Sequence, residues 1–251
     1  MIDKMDLNNK AISIRKMLGE DESSPLDIFS LAQTIENLTL LFYPLGNNIS
    51  GACFKNKLSA LIVINSDMSI GRQRFSLAHE LYHYYFDKEM TSIICSSAIG
   101  TGNENETKAD QFASYFLMPP AALYAALEKY KSHSSSKLSL DTIIRIEQYF
   151  GISHKAMLFR LKCDKQIKSD DFDSMQTGVI HRAALLGFDT SLYSPSADNK
   201  KIQVLGYYLH KAKKLLDEEI ISQGKYEEFL LDAFRDDIVF GLGLENDDIT
   251  D

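Results

Sequence analysis

The stretch SLAHELYHYYF, from Ser76 to Phe86, constrains the fold of this chain more than any other. It places His79, Glu80 and His83 within five residues. Because positions four apart lie on the same face of an α-helix, the two imidazoles can bind one zinc ion from one side. Glu80 follows the first histidine and is placed to take a proton from an attacking water and hand it to a leaving amine.

The alternative interpretation is an apolar helix whose histidines are satisfied within the core. Only 6 of the 251 residues are histidine, so the probability of a chance HExxH is on the order of one percent. The surrounding segment, GRQRFSLAHELYHYYFDKEM, also has the apolar spacing of an amphipathic helix. The pattern therefore favours a metal site, with Leu81, Tyr82 and Tyr85 holding the helix against the core.

A third metal ligand must lie elsewhere, because catalytic zinc sites usually have three protein ligands and one open position. In ENETKADQF, Glu106 and Asp110 are four apart on the next strongly helical segment. One carboxylate would bind the metal, and the other would accept the second N–H of a ligating histidine. Taken alone, the pair would suit a solvated acidic helix start equally well. Other carboxylates and the remaining histidines are further candidates: His133, His154, His181 and His210.

The composition indicates a globular protein. Hydrophobic residues make up 45% of the chain and charged residues 25%, and no apolar run approaches the roughly 20 residues of a membrane-spanning helix. The polar start, MIDKMDLNNK, lacks the apolar core of a signal peptide, so we expect a cytoplasmic protein. Cys53, Cys95 and Cys163 are widely spaced, which predicts ordinary reduced thiols. A net charge of −8 disfavours a nucleic-acid partner.

The hydrophobic pattern predicts an α+β, mainly helical fold. Three short β-branched and aromatic runs between residues 38 and 66 predict a small N-terminal antiparallel sheet, packed on the HExxH helix. Residues 91–103 have the composition of a connection, and almost everything after them has helical spacing.

Two segments together resemble a known group of peptidases. HExxH followed by ExxxD on a later helix is similar to the gluzincin pattern of metallopeptidases. The fuller string, GRQRFSLAHELYHYYFD with ETKADQFASYFLMP, resembles the ImmA/IrrE family over roughly residues 10–165. Members of that family share particular residues in the second segment. The matching residues here are Glu106, Ala109, Asp110, Phe112, Ala113, Leu117, Met118 and Pro119.

The resemblance implies a zinc-dependent endopeptidase. It implies that His79, His83 and Glu106 are the zinc ligands, that Glu80 is the general base and acid, and that Asp110 orients the first histidine. The substrate that it implies is a helix-turn-helix transcriptional repressor, cleaved in phage, mobile-element or stress regulation. We therefore expect a zinc metallopeptidase domain over residues 1–165 and a helical C-terminal region of unknown role over 166–251.

The implied fold also suggests where a peptide would lie. SALIVINS precedes the catalytic helix and would be a strand beside the cleft, and peptides often add to such an edge by main-chain hydrogen bonds. We expect Leu61, Ile62, Val63 and Ile64 to bind substrate in this way, although a plain core strand would suit the same apolar run. Six side chains could stabilise the oxyanion. They are Arg72, Arg74, Tyr82, Tyr84, Tyr85 and His154.

Residues 140–163 allow a rival interpretation as a DNA-binding helix-turn-helix. Gly151 lies in the turn, and the second helix carries the basic side chains that such a motif offers to DNA. They are His154, Lys155, Arg160 and Lys162. Glu147 stands where such motifs prefer a small residue, so a hairpin that completes the peptidase domain is favoured. A toxin–antitoxin-type regulator, with an antitoxin as partner and the peptidase fold as interaction module, is also left open.

Overall fold

The computed structural model describes residues 2–87, 93–130, 138–168, 172 and 175–241. The α+β, mainly helical class that the sequence predicts is confirmed. The strands are β1 (Leu38–Tyr43), β2 (Ile49–Lys55), β3 (Ala60–Asn65), β4 (Ile93–Ser96) and β5 (Gln203–Gly206). The first helices are α1 (Lys4–Met17), α2 (Ile28–Gln33), α3 (Ile70–Phe86), α4 (Glu104–Leu117), α5 (Pro120–Tyr130) and α6 (Leu140–Phe150). The later ones are α7 (His154–Cys163), α8 (Val179–Leu185), α9 (Tyr207–Asp217), α10 (Gln223–Asp232) and α11 (Asp236–Phe240).

The sheet is mixed, whereas the sequence predicted an antiparallel one. Its strand order is β4-β2-β3-β1-β5, and β1 runs parallel to β3 from Leu38 opposite Ala60 to Tyr43 opposite Asn65. The other pairs are antiparallel. The parallel pair arises because β2 and β3 form a hairpin, which brings β3 back beside β1 in the same direction. Alternation of apolar residues identifies strands but carries no information on this order.

Two strands were not predicted. β4 lies within the segment 91–103 that was expected to be a connection, and it is only four residues long. β5 lies at the start of a segment that was expected to be helical throughout, and Gly206 separates it from α9 with a φ of 83°. Because β5 pairs with β1, residues beyond 165 contribute to the sheet of the N-terminal part. The domain boundary at 165 stays a prediction.

Helix α3 lies against β2 and β3 on one side and against α4 on another. Phe75, Leu77, Ala78 and Leu81 are fully buried in the core between the sheet and the helices. This packing fixes the rotation of α3, so the face that carries its histidines points towards α4. Within the described ranges, no helix combines the length and the apolar character needed to cross a membrane.

Several polar groups of the hairpin of α6 and α7 are held within the protein, while Lys155 and Lys162 are exposed. The Glu147 carboxylate is fully buried and accepts hydrogen bonds from the Tyr193 hydroxyl and the His154 ring. Arg160 is also fully buried, and its guanidinium donates to the carbonyls of Ser114 and Met118. Two of the basic side chains that a recognition helix would offer to DNA are thus occupied within the fold.

Candidate metal centre

Three donor groups from α3 and α4 meet at one point. The Nε2 atoms of His79 and His83 are 3.2 Å apart, and Glu106 places Oε2 3.2 Å from the first and Oε1 3.5 Å from the second. A tetrahedral zinc site with metal–ligand bonds of about 2.0–2.1 Å has donor-to-donor edges of about 3.3 Å. The two imidazole nitrogens, and each of them with one oxygen of Glu106, therefore lie close to the spacing that a bound zinc ion requires.

The second ring nitrogen of each histidine is held by an aspartate. Nδ1 of His79 lies 2.8 Å from Asp110 Oδ1, and the other oxygen of that carboxylate accepts the backbone N–H of Gly100 at 2.6 Å. Nδ1 of His83 lies 2.8 Å from Asp87 Oδ2. A carboxylate on Nδ1 places the proton there and leaves the Nε2 lone pair free for a metal.

Asp87 belongs to the cluster through its contact with His83 and was not predicted from the sequence. It stands four residues after His83, at the end of α3, and its carboxylate also accepts hydrogen bonds from the Asn105 side-chain amide of α4. The signal was present, because an aspartate at this spacing lies on the same helical face as His83.

Helix capping places Glu106. The side chain of Asn103 caps α4 and accepts the backbone N–H groups of Asn105 and Glu106. Glu106 therefore lies in the first turn, where the helix dipole favours a carboxylate. The cap fixes the start of the helix, and the packing of α4 on α3 then brings Glu106 to the two histidines.

The charges of the cluster suit a cation. Burial lowers the pKa of His79, but hydrogen bonds to Asp110 and Glu106 outweigh it and raise that pKa to about 9. The hydrogen bond with His79 lowers the pKa of Glu106. Burial, together with the positive charge on His79, lowers the pKa of His83. A divalent cation bound by these donors would compete with a proton for Nε2 of His79, so metal binding and protonation of the cluster are coupled.

Glu80 is fully buried beside the cluster. Neither of its carboxylate oxygens has a hydrogen-bond partner of ordinary geometry among the described residues, although the Cys95 thiol lies near enough to influence its pKa. Burial raises the pKa of Glu80 to about 7, and His79 opposes this rise. An orphaned buried carboxylate is costly to the fold, and a pKa near neutrality suits a general base. Both properties point to a catalytic role.

Cys95 is the fourth side chain at this point, and the sequence analysis treated it as an ordinary thiol. It lies on β4 and is 1% exposed. The donor atoms of His79, His83, Cys95 and Glu106 all lie within 4.8 Å of one another. Burial raises the pKa of the Cys95 thiol, and the carboxylates of Glu80 and Glu106 raise it further. No local pattern could have revealed it, because it reaches the site only through the pairing of β4 with β2.

The other candidates for the third ligand lie elsewhere. His154 is held by Glu147 and by the backbone carbonyl of Met175. His181 on α8 and His210 on α9 are exposed. His133 lies outside the described residues. Glu106 is therefore the carboxylate that the structure brings to the histidine pair.

The proposed substrate strand was misplaced. Leu61, Ile62, Val63 and Ile64 lie on β3, which is paired with β1 on one side and with β2 on the other. Their main-chain groups face neighbouring strands on both sides, so the expectation of an exposed edge at these residues is wrong. Among the described strands, the edges of the sheet are β4 and β5.

Of the six oxyanion candidates, Arg72 has the most suitable surroundings. It is partly buried on α3 and donates to the carbonyl of Ser97, while its Nη1 has no partner among the described residues. Burial lowers the pKa of Arg72 to about 10, against the opposing charges of Asp110, Cys95 and Glu80. In contrast, the guanidinium of Arg74 donates a hydrogen bond to the backbone carbonyl of Leu26.

A buried HExxH helix, faced by a carboxylate helix and backed by a mixed sheet, defines a metallopeptidase-type fold. The family model of the IrrE N-terminal-like domain, Peptidase M78, matches residues 36–162, about half of the 251-residue chain. The chain belongs to this family, as the resemblance in its two motifs predicted. No curated protein matches the sequence.

Replacing Glu106 with alanine is expected to weaken metal binding strongly, because the substitution removes a donor oxygen. Losing a residue that only hydrogen-bonds to a metal ligand typically lowers metal affinity roughly 10- to 100-fold, and the loss here should be larger. Competition with a chromophoric chelator measures the affinity. Glu104→Ala is the matched control, since Glu104 is two residues away on the same helix and pairs with Lys108 at the surface. Full metal affinity in Glu106→Ala would show that another carboxylate is the ligand.

Proposed function

We propose that this protein is a zinc-dependent endopeptidase that cleaves a protein substrate, a helix-turn-helix transcriptional repressor, in the cytoplasm. The observation that carries the proposal is the buried carboxylate of Glu80, which has no ordinary hydrogen-bond partner among the described residues, beside three donor groups at close to the spacing that zinc requires. Membership in a metallopeptidase family supports the same chemistry.

The residues of the chain divide the work of hydrolysis. When bound, zinc acidifies water and polarises the scissile carbonyl. His79, His83 and Glu106 would hold the ion, while Asp110 and Asp87 keep both imidazoles in the ligating tautomer. Glu80 takes the proton of the attacking water and returns it to the nitrogen of the departing amine. Burial, which raises the pKa of Glu80, makes its carboxylate a better proton acceptor than an exposed one.

The position of β4 supports binding of an extended peptide. This strand lies at the edge of the sheet next to the metal centre, and Ile94 on it is 64% exposed. A substrate strand that adds to this edge would pass the cluster with its main chain aligned. A cavity of about 1260 Å³ lies beside the loop that follows β4. Ser97 and Gly100 of this loop line it, and so does Arg72 of α3. It would accept substrate side chains.

Charge supports a repressor as the partner. The chain carries a net charge of −8, and proteins that bind the DNA backbone need basic surfaces. Attraction between opposite net charges accelerates the encounter of such a pair. Binding of DNA by this chain itself is disfavoured, because His154 and Arg160 are engaged within the fold.

The test is incubation of the metal-loaded protein with purified helix-turn-helix regulators of its own organism, with and without a chelator. Mass spectrometry of the products would identify the cleaved bond. The proposal expects one or a few defined cuts that the chelator abolishes and added zinc restores. Cleavage that persists after removal of the metal would contradict the mechanism. An intact regulator in all samples would contradict the choice of substrate.

A further inference from the structure

The pairing of β4 with β2 turns the side chain of Cys95 towards the metal centre. Cys95 stands opposite Gly51 in the register of these antiparallel strands, and residues paired in this way point to the same face of a sheet. A Cβ on Gly51 would come within 2.9 Å of Glu80 Oε1. The face that Cys95 shares with Gly51 is therefore the one against Glu80 and the donor cluster.

With Cys95, the cluster contains four donors of kinds that zinc binds in proteins: two imidazoles, a carboxylate and a thiol. Sites with four protein ligands are closed and structural, whereas catalytic sites keep one position for water or substrate. The Cys95 Sγ lies within 4.8 Å of each of the other three donor atoms. It is thus close enough to the other donors for a small movement of its strand to bring it into the fourth position of a tetrahedral site.

We propose that Cys95 is a fourth protein ligand that closes the metal site and keeps the resting protein latent. The inference rests on the metal centre of the proposed function. On ligation, the S–H bond of Cys95 breaks, its proton leaves to solvent, and the thiolate takes the place of one water on the metal. Activation is the reverse exchange, in which Cys95 regains a proton and departs, and a water becomes available to Glu80.

Such an exchange requires β4 to move while α3 and α4 stay in place. β4 has four residues, lies at the edge of the sheet and pairs with β2 alone among the described strands. The register between the two strands shifts between Ile49 and Gly51, next to the partner of Cys95. The histidines and Glu106 belong to longer, packed helices. Cys95 is thus the donor whose supporting element is held least firmly.

The test uses the full chain loaded with Zn²⁺ or Co²⁺ alone. X-ray absorption of the zinc form is expected to show one sulfur neighbour at about 2.3 Å, and the cobalt form is expected to show sulfur-to-cobalt charge-transfer absorption. Both signals should disappear in Cys95→Ala while one equivalent of metal remains bound. Cys53→Ala is the matched control and should keep them, because Cys53 is equally buried on β2 but lies outside the cluster.

Acetohydroxamate, a small metal-binding anion, tests whether the site is closed. Its addition should leave the cobalt spectrum of the wild type unchanged and should alter that of Cys95→Ala.

Metal bound without a sulfur signal in the wild type would overturn the inference but leave the proposed function intact. Hydroxamate uptake by the wild type with the sulfur signal retained would overturn the closure. Failure of the wild type to bind metal would overturn the inference and the proposed function together. The wild-type spectra decide the ligation even if Cys95→Ala does not fold.

Discussion

Replacing Glu80 with glutamine is expected to slow peptide hydrolysis by orders of magnitude and to leave the metal content unchanged. The amide has nearly the shape of the carboxylate but cannot accept the proton of the attacking water. A positioned general base contributes about 100- to 10,000-fold to a rate, so kcat should fall by that factor. The measurement pairs the rate of cleavage of a regulator or peptide substrate with the zinc content of the same sample.

The stability of Glu80→Gln separates a catalytic from a structural role. The Glu80 carboxylate is buried without a hydrogen-bond partner of ordinary geometry among the described residues, so the substitution removes no such bond there and relieves the burial of a charge. The variant should therefore unfold at the same temperature as the wild type or a higher one. Loss of activity with a lowered unfolding temperature, or with loss of zinc, would indicate that Glu80 supports the structure of the site instead. Glu104→Gln, at the surface of α4, is the control for a neutral change.

The ligands that local spacing defines could be predicted from the sequence. His79 and His83 are one helical turn apart, and so are Glu106 and Asp110, which makes each pair visible as a pattern of period four. The resemblance to a family then joined the two pairs, and the structure brings all four side chains to one point. Their roles as metal ligands and as orienting group stay predictions until a metal is measured.

The parts that depend on pairing between distant segments could not be predicted. Cys95 reaches the centre because β4 lies beside β2, and nothing within its own segment indicates a strand facing a metal. The error about Leu61 to Ile64 has the same origin, since an apolar run fits an edge strand and a central strand equally. The order in which strands join a sheet is set by contacts over the whole chain.

The sequence also posed a choice between an apolar helix and a metal site, and α3 has the features of both. Leu77, Ala78 and Leu81 are fully buried in the core, and Glu80 and His83 are fully buried on the other side. Burial on the polar side is what raises the pKa of Glu80 and brings the donors close together. The apolar residues therefore create the site, because their packing decides where the polar face must lie.

The position of α3 itself depends on Gly71, and Gly71→Ala is expected to destabilise the protein strongly. A Cβ at this position would lie 2.6 Å from the backbone nitrogen of Ser153 and 2.7 Å from the backbone carbon of Ile152. Backbone atoms cannot rotate away as a side chain can, so α3 or the turn between α6 and α7 must shift. The N–H of Ile70 is meanwhile held by the carbonyl of Ser194 at 2.8 Å, which limits any shift of the helix.

The sign of the effect makes Gly71→Ala a sharp test. Helix propensity alone would make alanine more stable than glycine by roughly 1 kcal/mol, whereas overpacking against a fixed neighbour typically costs about 1–3 kcal/mol or more. The free energy of unfolding in urea should therefore fall.

Gly224→Ala is the matched control, because Gly224 lies in α10 with open space around its Cβ position, and there alanine should be neutral or stabilising. Equal stability of the two variants would show that α3 does not approach the turn this closely. A fall confined to Gly71→Ala, together with weaker zinc binding, would show that this contact positions the helix that carries the metal ligands.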